Sequence, residues 1–555
     1  MTSLISRWIW LGLSLITADE SAASPQPQQI LRVFADLKHT GILTGPLTSS
    51  SPAENEFGIA VPLPTVNTGR DRWPEKLDAA DQVVKRLGRL RVETTEAAGD
   101  VVVSIESDSR PCLRLFRNTA SGWRRQAPSE DSSWTLAPGK DGVVELGVGV
   151  VIPDARAAAA PAVWPREFTV EISATSENSM RLRVPFRVAP YVIPSALEPV
   201  DELMIVSQAV TADSVHSVRA FAARTGLKLV AHEVDERCDQ WMQDTIEPGL
   251  FAFPTALGSS QARACLSGLR KESGSEAARL DYQVARRLRR RGVVTVAPAI
   301  PRKQAGWNDW YGNVEATPPH TDRQGRRFPY GRVITGKHHD ATMHPGVLKF
   351  LEAQGLQWPP IVVDTSWLAI GHVDEVVNFV PAKTKKGFKV LLPSPNAARD
   401  MLEALLAKGL EEEPVFAATE DEMTLGALRM TIAQTTENLA IDETVAHLRE
   451  QLKSELNLEN SDFVMVPALF QGGMAVIPNA VNSVVVNGYL LVPEPLGPQL
   501  NEVDGFEQAI RAALAGCDVR VVFIDSWNAY HASGGEVHCG TNTFRRLRDP
   551  AWWTR

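Results

Sequence analysis

Near Pro194 the pattern of this chain changes, and no other feature constrains its fold as much. Over residues 29–190 short apolar runs (101–105, 142–151) and near-alternating stretches (167–172, 180–188) follow one another. Alternation sends every second side chain to one face of a strand. Pro, Gly, Ser and Asp punctuate the runs, and strong helical periodicity is scarce. This predicts a β-sandwich of roughly 150 residues, with a loop at 157–161. Beyond Pro194 helices and strands alternate. Asp213 is expected to cap a helix that stops at Gly226. Residues 396–409, 437–458 and 504–516 read as three further helices. Buried strands are expected at 389–392, 463–466, 483–492 and 519–525. The second part is therefore α/β, without a sequence repeat, although such mixed units can build a repeated architecture.

A chain of 555 residues exceeds one ordinary core, so two or three domains are expected. The net charge of −9 and the lack of a long basic stripe argue against a nucleic-acid partner. The basic run Arg286-Arg287-Leu288-Arg289-Arg290-Arg291 reads as a solvated helix end. At the N-terminus, Arg7 precedes an apolar stretch over residues 8–18, and small residues follow at 21–24. That layout sets residues 1–28 apart as a signal segment and favours export over the cytoplasm; Asp19, Glu20 and the tryptophans depart from it. The stretch is short for a membrane span, and no other candidate span exists. Cys112, Cys238, Cys265, Cys517 and Cys539 lack CxxC spacing, which argues against a zinc knuckle. Their odd number leaves at least one free thiol unless a bond forms between chains.

Three segments carry chemistry. Gly535-Glu536-Val537-His538-Cys539-Gly540-Thr541-Asn542 puts a cysteine beside a histidine in a small-residue turn, where a thiol is expected to be accessible and activated. Asp239-Gln240-Trp241-Met242-Gln243-Asp244 and Trp367-Leu368-Ala369-Ile370-Gly371-His372-Val373-Asp374-Glu375 add carboxylates, tryptophans and a second histidine. Together they suit a planar cation, a guanidinium. Paired carboxylates such as Asp244 and Asp374 can each accept two parallel N–H bonds from it, and Trp241 or Trp367 can wall the slot. A Cys539 thiolate would attack the carbon. His372 would protonate the departing ammonia and then deprotonate the hydrolytic water. Structural roles remain open at the same positions: Asp374 paired with His372 on one strand, Asp244 as a turn residue, both tryptophans in the core, and His538 shaping its turn.

The chain resembles the animal-type protein-arginine deiminases. Phe186-Arg187-Val188-Ala189-Pro190-Tyr191 resembles the junction into the family's catalytic domain, and Asp239 to Asp244 its DRWIQD motif. Tyr311-Gly312-Asn313-Val314-Glu315-Ala316-Thr317-Pro318-Pro319 resembles FGNLEVSPP, and Gly371-His372-Val373-Asp374-Glu375 matches GHVDE. Phe379-Val380-Pro381, Val466-Pro467-Ala468-Leu469-Phe470 and residues 535–542 follow in family order. The resemblance implies a five-bladed α/β-propeller catalytic domain (194–555) behind an immunoglobulin-like β-sandwich (29–193), with the family's first β domain missing. It implies conversion of peptidyl-arginine to peptidyl-citrulline, with Cys539 as nucleophile, His372 as acid and base, Asp244 and Asp374 binding the guanidinium, and Trp241 on the substrate stem. Protein or peptide substrates are the implied partners. Family enzymes are often homodimers, although no apolar stripe here demands one.

Family members order the site around two calcium ions. One site is expected to be retained: the side chains of Gln243, Glu247 and Glu315 with the carbonyls of Tyr311 and Val314. The alternative is a hydrogen-bonded network without metal. The other site is expected to be lost, because Thr245 stands where the family has Glu and residues 251–256 are apolar or neutral. Asn67-Thr68-Gly69-Arg70-Asp71 faintly resembles a further calcium-binding stretch. Ser533 replaces a substrate-gripping arginine, and Arg263 lies near the expected place of another. A deiminase of free arginine or another small guanidine is thus the second reading. A catalytically inactive secreted binding protein is the third.

Overall fold

The computed structural model describes residues 31–35, 44–47, 58–60, 76–77, 87–94, 99–106, 113–127, 133–150, 166–175, 181–255, 258–268, 279–296 and 306–554. The expected signal segment, residues 67–71, the loop at 157–161 and Cys112 lie outside them.

The first part is two packed sheets. One runs in the order Thr44–Leu47, Leu31–Ala35, Gly88–Thr94, Val143–Val150, Leu113–Thr119, Gly122–Arg125, Lys76–Leu77. The other runs Gly58–Ala60, Leu182–Val188, Glu167–Ala174, Val101–Glu106, Ser133–Leu136. The period of two in Gly88–Thr94 and Glu167–Ala174 is the period of their burial. Val92, Leu115 and Leu146 of the first sheet share one apolar cluster with Val103, Val170 and Val184 of the second, so the alternating faces meet each other.

The second part is α/β and repeats one unit five times. In each unit a strand pairs antiparallel on one side and parallel on the other. These strands are Gly258–Ser267, Val200–Ser207, Val333–Lys337, Phe388–Ser394 and Tyr489–Pro493. A parallel pair needs a crossover. Helices Leu280–Arg290, Ala212–Thr225, Pro345–Gln354, the pair Pro395–Leu406 and Thr436–Leu456, and Gly505–Ala513 supply it in turn. Apolar clusters join each sheet to the next. Leu250 packs with Val333, Ile361 with Phe379, Leu391 with Val485, Leu491 with Leu203, and Met204 with Ile246. The five contacts form a closed circuit. The last strand, Thr541–Arg545, completes it by pairing with Val200–Ser207.

Local chemistry sets the element ends. Ser394 caps its helix by accepting from the Ala397 N–H, and Thr435 caps the next by accepting from Asn438 N–H. Asp504 accepts from Phe506 and Glu507 N–H and opens Gly505–Ala513; a 3₁₀ turn, Leu514–Gly516, follows. Gly226 ends Ala212–Thr225 in the left-handed region, at φ 70°. Asp213 is not the cap of that helix. Thr211 precedes it, and Asp213 lies in the first turn. Residues 483–492 are not one strand either. Asn487-Gly488, with φ 46° and 88°, folds them into a hairpin of Val484–Val486 and Tyr489–Pro493. The basic run ends Leu280–Arg290, and the exposed Arg291 pairs with the buried Glu202. Among the described residues no helix is long and apolar enough to cross a membrane.

Candidate active site

The five-unit circuit brings five short connections together at one place. Each leads into the strand on the antiparallel side of its sheet. Asp244 precedes Ile246–Thr255, Gly312 precedes Val314–Ala316, and Asp374 precedes Asn378–Pro381. Asn482 precedes Val484–Val486, and Cys539 precedes Thr541–Arg545. A chemical group from every unit therefore faces the common centre.

Cys539 sits on the single helical turn Val537–Gly540. Its Sγ is 3.4 Å from Asp374 Oδ2 and 3.1 Å from Asn482 Nδ2. His372 Nδ1 lies 3.4 Å from Asp244 Oδ1. The other ring nitrogen, Nε2, is 3.0 Å from the Trp307 carbonyl. A carbonyl only accepts, so Nε2 carries the hydrogen and Nδ1 is left to face the site. Gly312 N–H donates to Asp244 Oδ1 at 3.1 Å. A Cβ on Gly312 would lie 2.6 Å from His372 Nδ1, 2.7 Å from Asp244 Oδ1 and 3.3 Å from Asp374 Oδ2. Glycine is what lets these three side chains converge.

The thiol is buried, at 6% exposure, and not accessible as the turn-rich sequence predicts. Trp241 and Tyr530 close over its turn. Their rings are 5.8 Å apart, and a Cβ on Gly535 would press on Trp241 at 2.5 Å. Burial, then Asp374, Asp244 and Glu375, pushes the Cys539 thiol well above its ordinary value. Burial, then Asp374, pushes Asp244 well above the carboxylate range. Asp374 Oδ1 is buried with no hydrogen-bond partner. The centre thus holds one unsatisfied acceptor, an arrangement that is costly until a positive donor arrives. His372 and Asp374 do not pair with each other. The 3₁₀ turn Val373–Glu375 sends them to different partners, Asp244 and Cys539.

His538, read in the sequence as a possible turn former, joins two groups of carboxylates. Its Nδ1 donates to Asp374 Oδ2 at 2.9 Å, and its Nε2 lies 3.3 Å from Glu315 Oε1. Burial opposes its charge, but Glu315 and Asp374 outweigh burial and raise its pKa. Glu375 is a further, half-buried acid, pushed up to about 8 by burial and by Asp374. It accepts from His372 N–H at 2.9 Å and so fixes the histidine's backbone. Raising a folded-state acid pKa removes stability as pH climbs from the unfolded value toward the folded one. Glu375→Gln keeps the acceptor and has no charge to gain. Its unfolding midpoint is therefore expected to fall less than that of wild type between about pH 5 and about pH 8. Parallel melting curves across that range would contradict this.

Gln243, Glu247 and Glu315 line a small cavity of about 40 Å³ together with His538 and Arg545. Gln243 Nε2 donates to Glu247 Oε2 and to the Tyr311 carbonyl, each at 3.2 Å. Val314 opens the adjoining strand. Glu315 Oε1 is buried without a hydrogen bond, since the His538 approach lacks the geometry for one. Burial, then Glu315, raises Glu247 well above its ordinary value, and burial pushes Glu315 to about 7. Two destabilised carboxylates, an amide and a carbonyl around a cavity fit one hard cation. Among the described residues no group of three or more His, Cys, Asp or Glu side chains is placed to hold a metal.

Other expected site residues lie elsewhere or are committed. Thr245 donates its hydroxyl to the Trp241 carbonyl at 2.7 Å. Phe251, Ala252 and Phe253 are buried in the core. Trp367 packs edge-on to Phe470, 4.9 Å between ring centroids. Arg263 is held by Glu202 at 3.2 Å and Asp201 at 3.6 Å. Sequence reasoning did not single out Gly312, Glu375, Asn482 or Arg545. The first two lie inside quoted motifs. The last two carry no signal beyond nearness to a strand.

The model of the protein-arginine deiminase (PAD) family matches residues 178–554. Protein-arginine deiminase type-4 of Rattus norvegicus is 31% identical over 391 residues, 67% of this chain and 56% of its own length. The Homo sapiens type-4 protein is 30% identical over 418 residues, 70% of this chain and 60% of its own. Homo sapiens type-3 is 31% identical over 386 residues, 67% of this chain and 56% of its own. The chain belongs to the protein-arginine deiminase family, and spans between half and two thirds of the length of these relatives. A solved structure, C. Jejuni agmatine deiminase, aligns with 64% of this chain and 96% of its own, at 11% identity and a TM-score of 0.37.

Proposed function

We propose that the protein hydrolyses peptidyl-arginine to peptidyl-citrulline and ammonia. The observation that carries this reading is the convergence of Cys539, His372, Asp244 and Asp374 around Gly312, with a buried unpartnered Asp374 oxygen among them. The guanidinium docks between Asp244 and Asp374, and Trp241 covers the aliphatic stem. Its charge offsets the carboxylates that hold the thiol protonated. The thiol proton passes to His372 Nδ1, and the Cys539 sulfur bonds to the guanidinium carbon. His372 delivers a proton from Nδ1 to a terminal nitrogen, and the C–N bond breaks with release of ammonia. Nδ1 of His372 next takes a proton from water and later returns it to the departing Cys539 sulfur. The hydroxide adds to the carbon, the C–S bond breaks, and a ureido group leaves.

In this reading residues 194–555 form a five-bladed α/β-propeller and residues 29–193 an immunoglobulin-like module. The closed circuit of five sheets and the two packed sheets support these assignments. Gln243, Glu247, Glu315 and the carbonyls of Tyr311 and Val314 would hold one calcium ion. Its charge would neutralise carboxylates that burial destabilises, next to the His538 bridge to Asp374. The second family site has no counterpart at Thr245, whose hydroxyl is spent on Trp241. Titration calorimetry on the folded protein is expected to show about one calcium bound, and Glu315→Gln is expected to weaken binding at least ~10-fold. No heat for wild type would remove the ion from the account.

A second reading, deimination of free arginine or another small guanidine, is favoured by the commitment of Arg263 to Glu202 and Asp201. That arginine is not free to grip a substrate backbone. Comparing kcat/KM for a blocked arginine peptide and for free arginine separates the two. A higher value for free arginine would overturn the peptide assignment.

A further inference from the structure

We propose that Asn482 is a catalytic residue whose side-chain amide donates to the Cys539 sulfur and stabilises the attacking thiolate. The inference rests on the reading of Cys539 as nucleophile.

Asn482 is 1% exposed, and its neighbours fix which way the amide points. Oδ1 accepts from Cys539 N–H at 3.2 Å. Nδ2 donates to the Asp374 carbonyl at 3.2 Å. Flipping the amide would set N–H against N–H and oxygen against oxygen. The group 3.1 Å from Cys539 Sγ is therefore a donor. The Asn482 carbonyl also accepts from His538 N–H at 3.2 Å, so one residue grips the nucleophile's turn from backbone and side chain.

A backbone hydrogen bond at Glu536 also favours the charged sulfur, but the other side chains around it do not. Asp374, Asp244 and Glu375 all oppose negative charge there. His538 Nδ1 is directed at Asp374 and its Nε2 at Glu315. His372 faces Asp244, and the Tyr530 hydroxyl donates to the Gly540 carbonyl at 3.3 Å. Asp374 Oδ2 accepts the S–H at 3.4 Å, so the proton points away from Asn482 until it leaves. The electron pair left on sulfur then meets the Asn482 N–H. A donor to a charged atom is worth more than one to a neutral atom, so this contact favours thiolate over thiol. Asn482 also stands where each of the other units places its contribution, just before the strand on the antiparallel side.

The test is the pH dependence of Cys539 alkylation by iodoacetamide, read at that peptide by mass spectrometry in the full chain. It needs no substrate, so it stands apart from the deiminase reading. In Asn482→Ala the midpoint is expected to rise by about one to two pH units, with alkylation at a fixed pH below the midpoint slowed ~10- to 100-fold. Asn482→Ser, whose shorter side chain cannot reach both partners, is the second variant should Asn482→Ala fold poorly, and the same rise is expected. An unchanged midpoint in a folded variant would overturn the proposal and leave Asn482 a purely structural brace. If Cys539→Ala instead kept full deiminase activity, the proposed function would fall first.

Discussion

Cys539→Ala is expected to lower citrulline formation by roughly 10⁴-fold or more, the scale of removing a covalent nucleophile, while the protein stays folded. The side chain occupies a site already crowded with Asp374, Asp244 and Glu375, all of which oppose ionisation of its sulfur. Taking it away relieves that conflict and leaves only a small cavity. Activity should collapse without a comparable loss of unfolding temperature. The same geometry sets how the thiol titrates in wild type. A thiol is unreactive while protonated and reactive above its pKa. Because burial and three acids push that pKa up, alkylation of the free protein should keep rising past the ordinary thiol range near pH ~8.5. A guanidinium compound that cannot be turned over should shift the midpoint down by supplying the missing cation. Rapid alkylation of Cys539 near neutral pH in the free protein would contradict this part of the account.

Gly312→Ala is the second large effect expected. One methyl group would fall within 2.7 Å of both His372 Nδ1 and Asp244 Oδ1 and 3.3 Å from Asp374 Oδ2. Contacts under 3 Å force the side chains aside. Displacements of about an ångström in a site of this kind cost ~10²-fold or more. Gly312 does not have a positive φ, so the penalty comes from the neighbours and not from backbone strain. Circular dichroism should be close to wild type while kcat/KM drops. Wild-type activity in Gly312→Ala would mean that the convergence of these residues is not the reacting arrangement.

The elements that the sequence announces are those whose physics is local. Alternation in Glu167–Ala174 and capping chemistry at Ser394, Thr435 and Asp504 depend on neighbours a few residues away, and they can be read without the fold. The hairpin at Asn487-Gly488 carried an equally local signal, but the apolar run on both sides of it reads as one strand. Asp213 was outcompeted as a cap because the helix begins at Ala212, one residue before it. The site behaved differently. Cys539, His372, Asp244 and Asp374 lie in motifs, so their identity was legible, but their burial was not. Small polar residues around Cys539 read as an open turn. Exposure there is decided by Tyr530, nine residues before it, and by Trp241, which arrives from a distant segment. Asn482 had no legible signal at all, since its role exists only once five units close on one another. Arg545 is similar. It bonds the carbonyls of Ala196, Glu198 and Val485, contacts that no spacing in the chain encodes.

The most direct test of the central claim is citrulline formation from a blocked arginine peptide, in EGTA and across a calcium titration, with Cys539→Ala alongside. The account predicts turnover that requires Cys539 and rises with calcium. Cys539-dependent turnover that is already full in EGTA would contradict the metal assignment at Gln243, Glu247 and Glu315. No peptide turnover under any condition would contradict the protein-arginine reading itself.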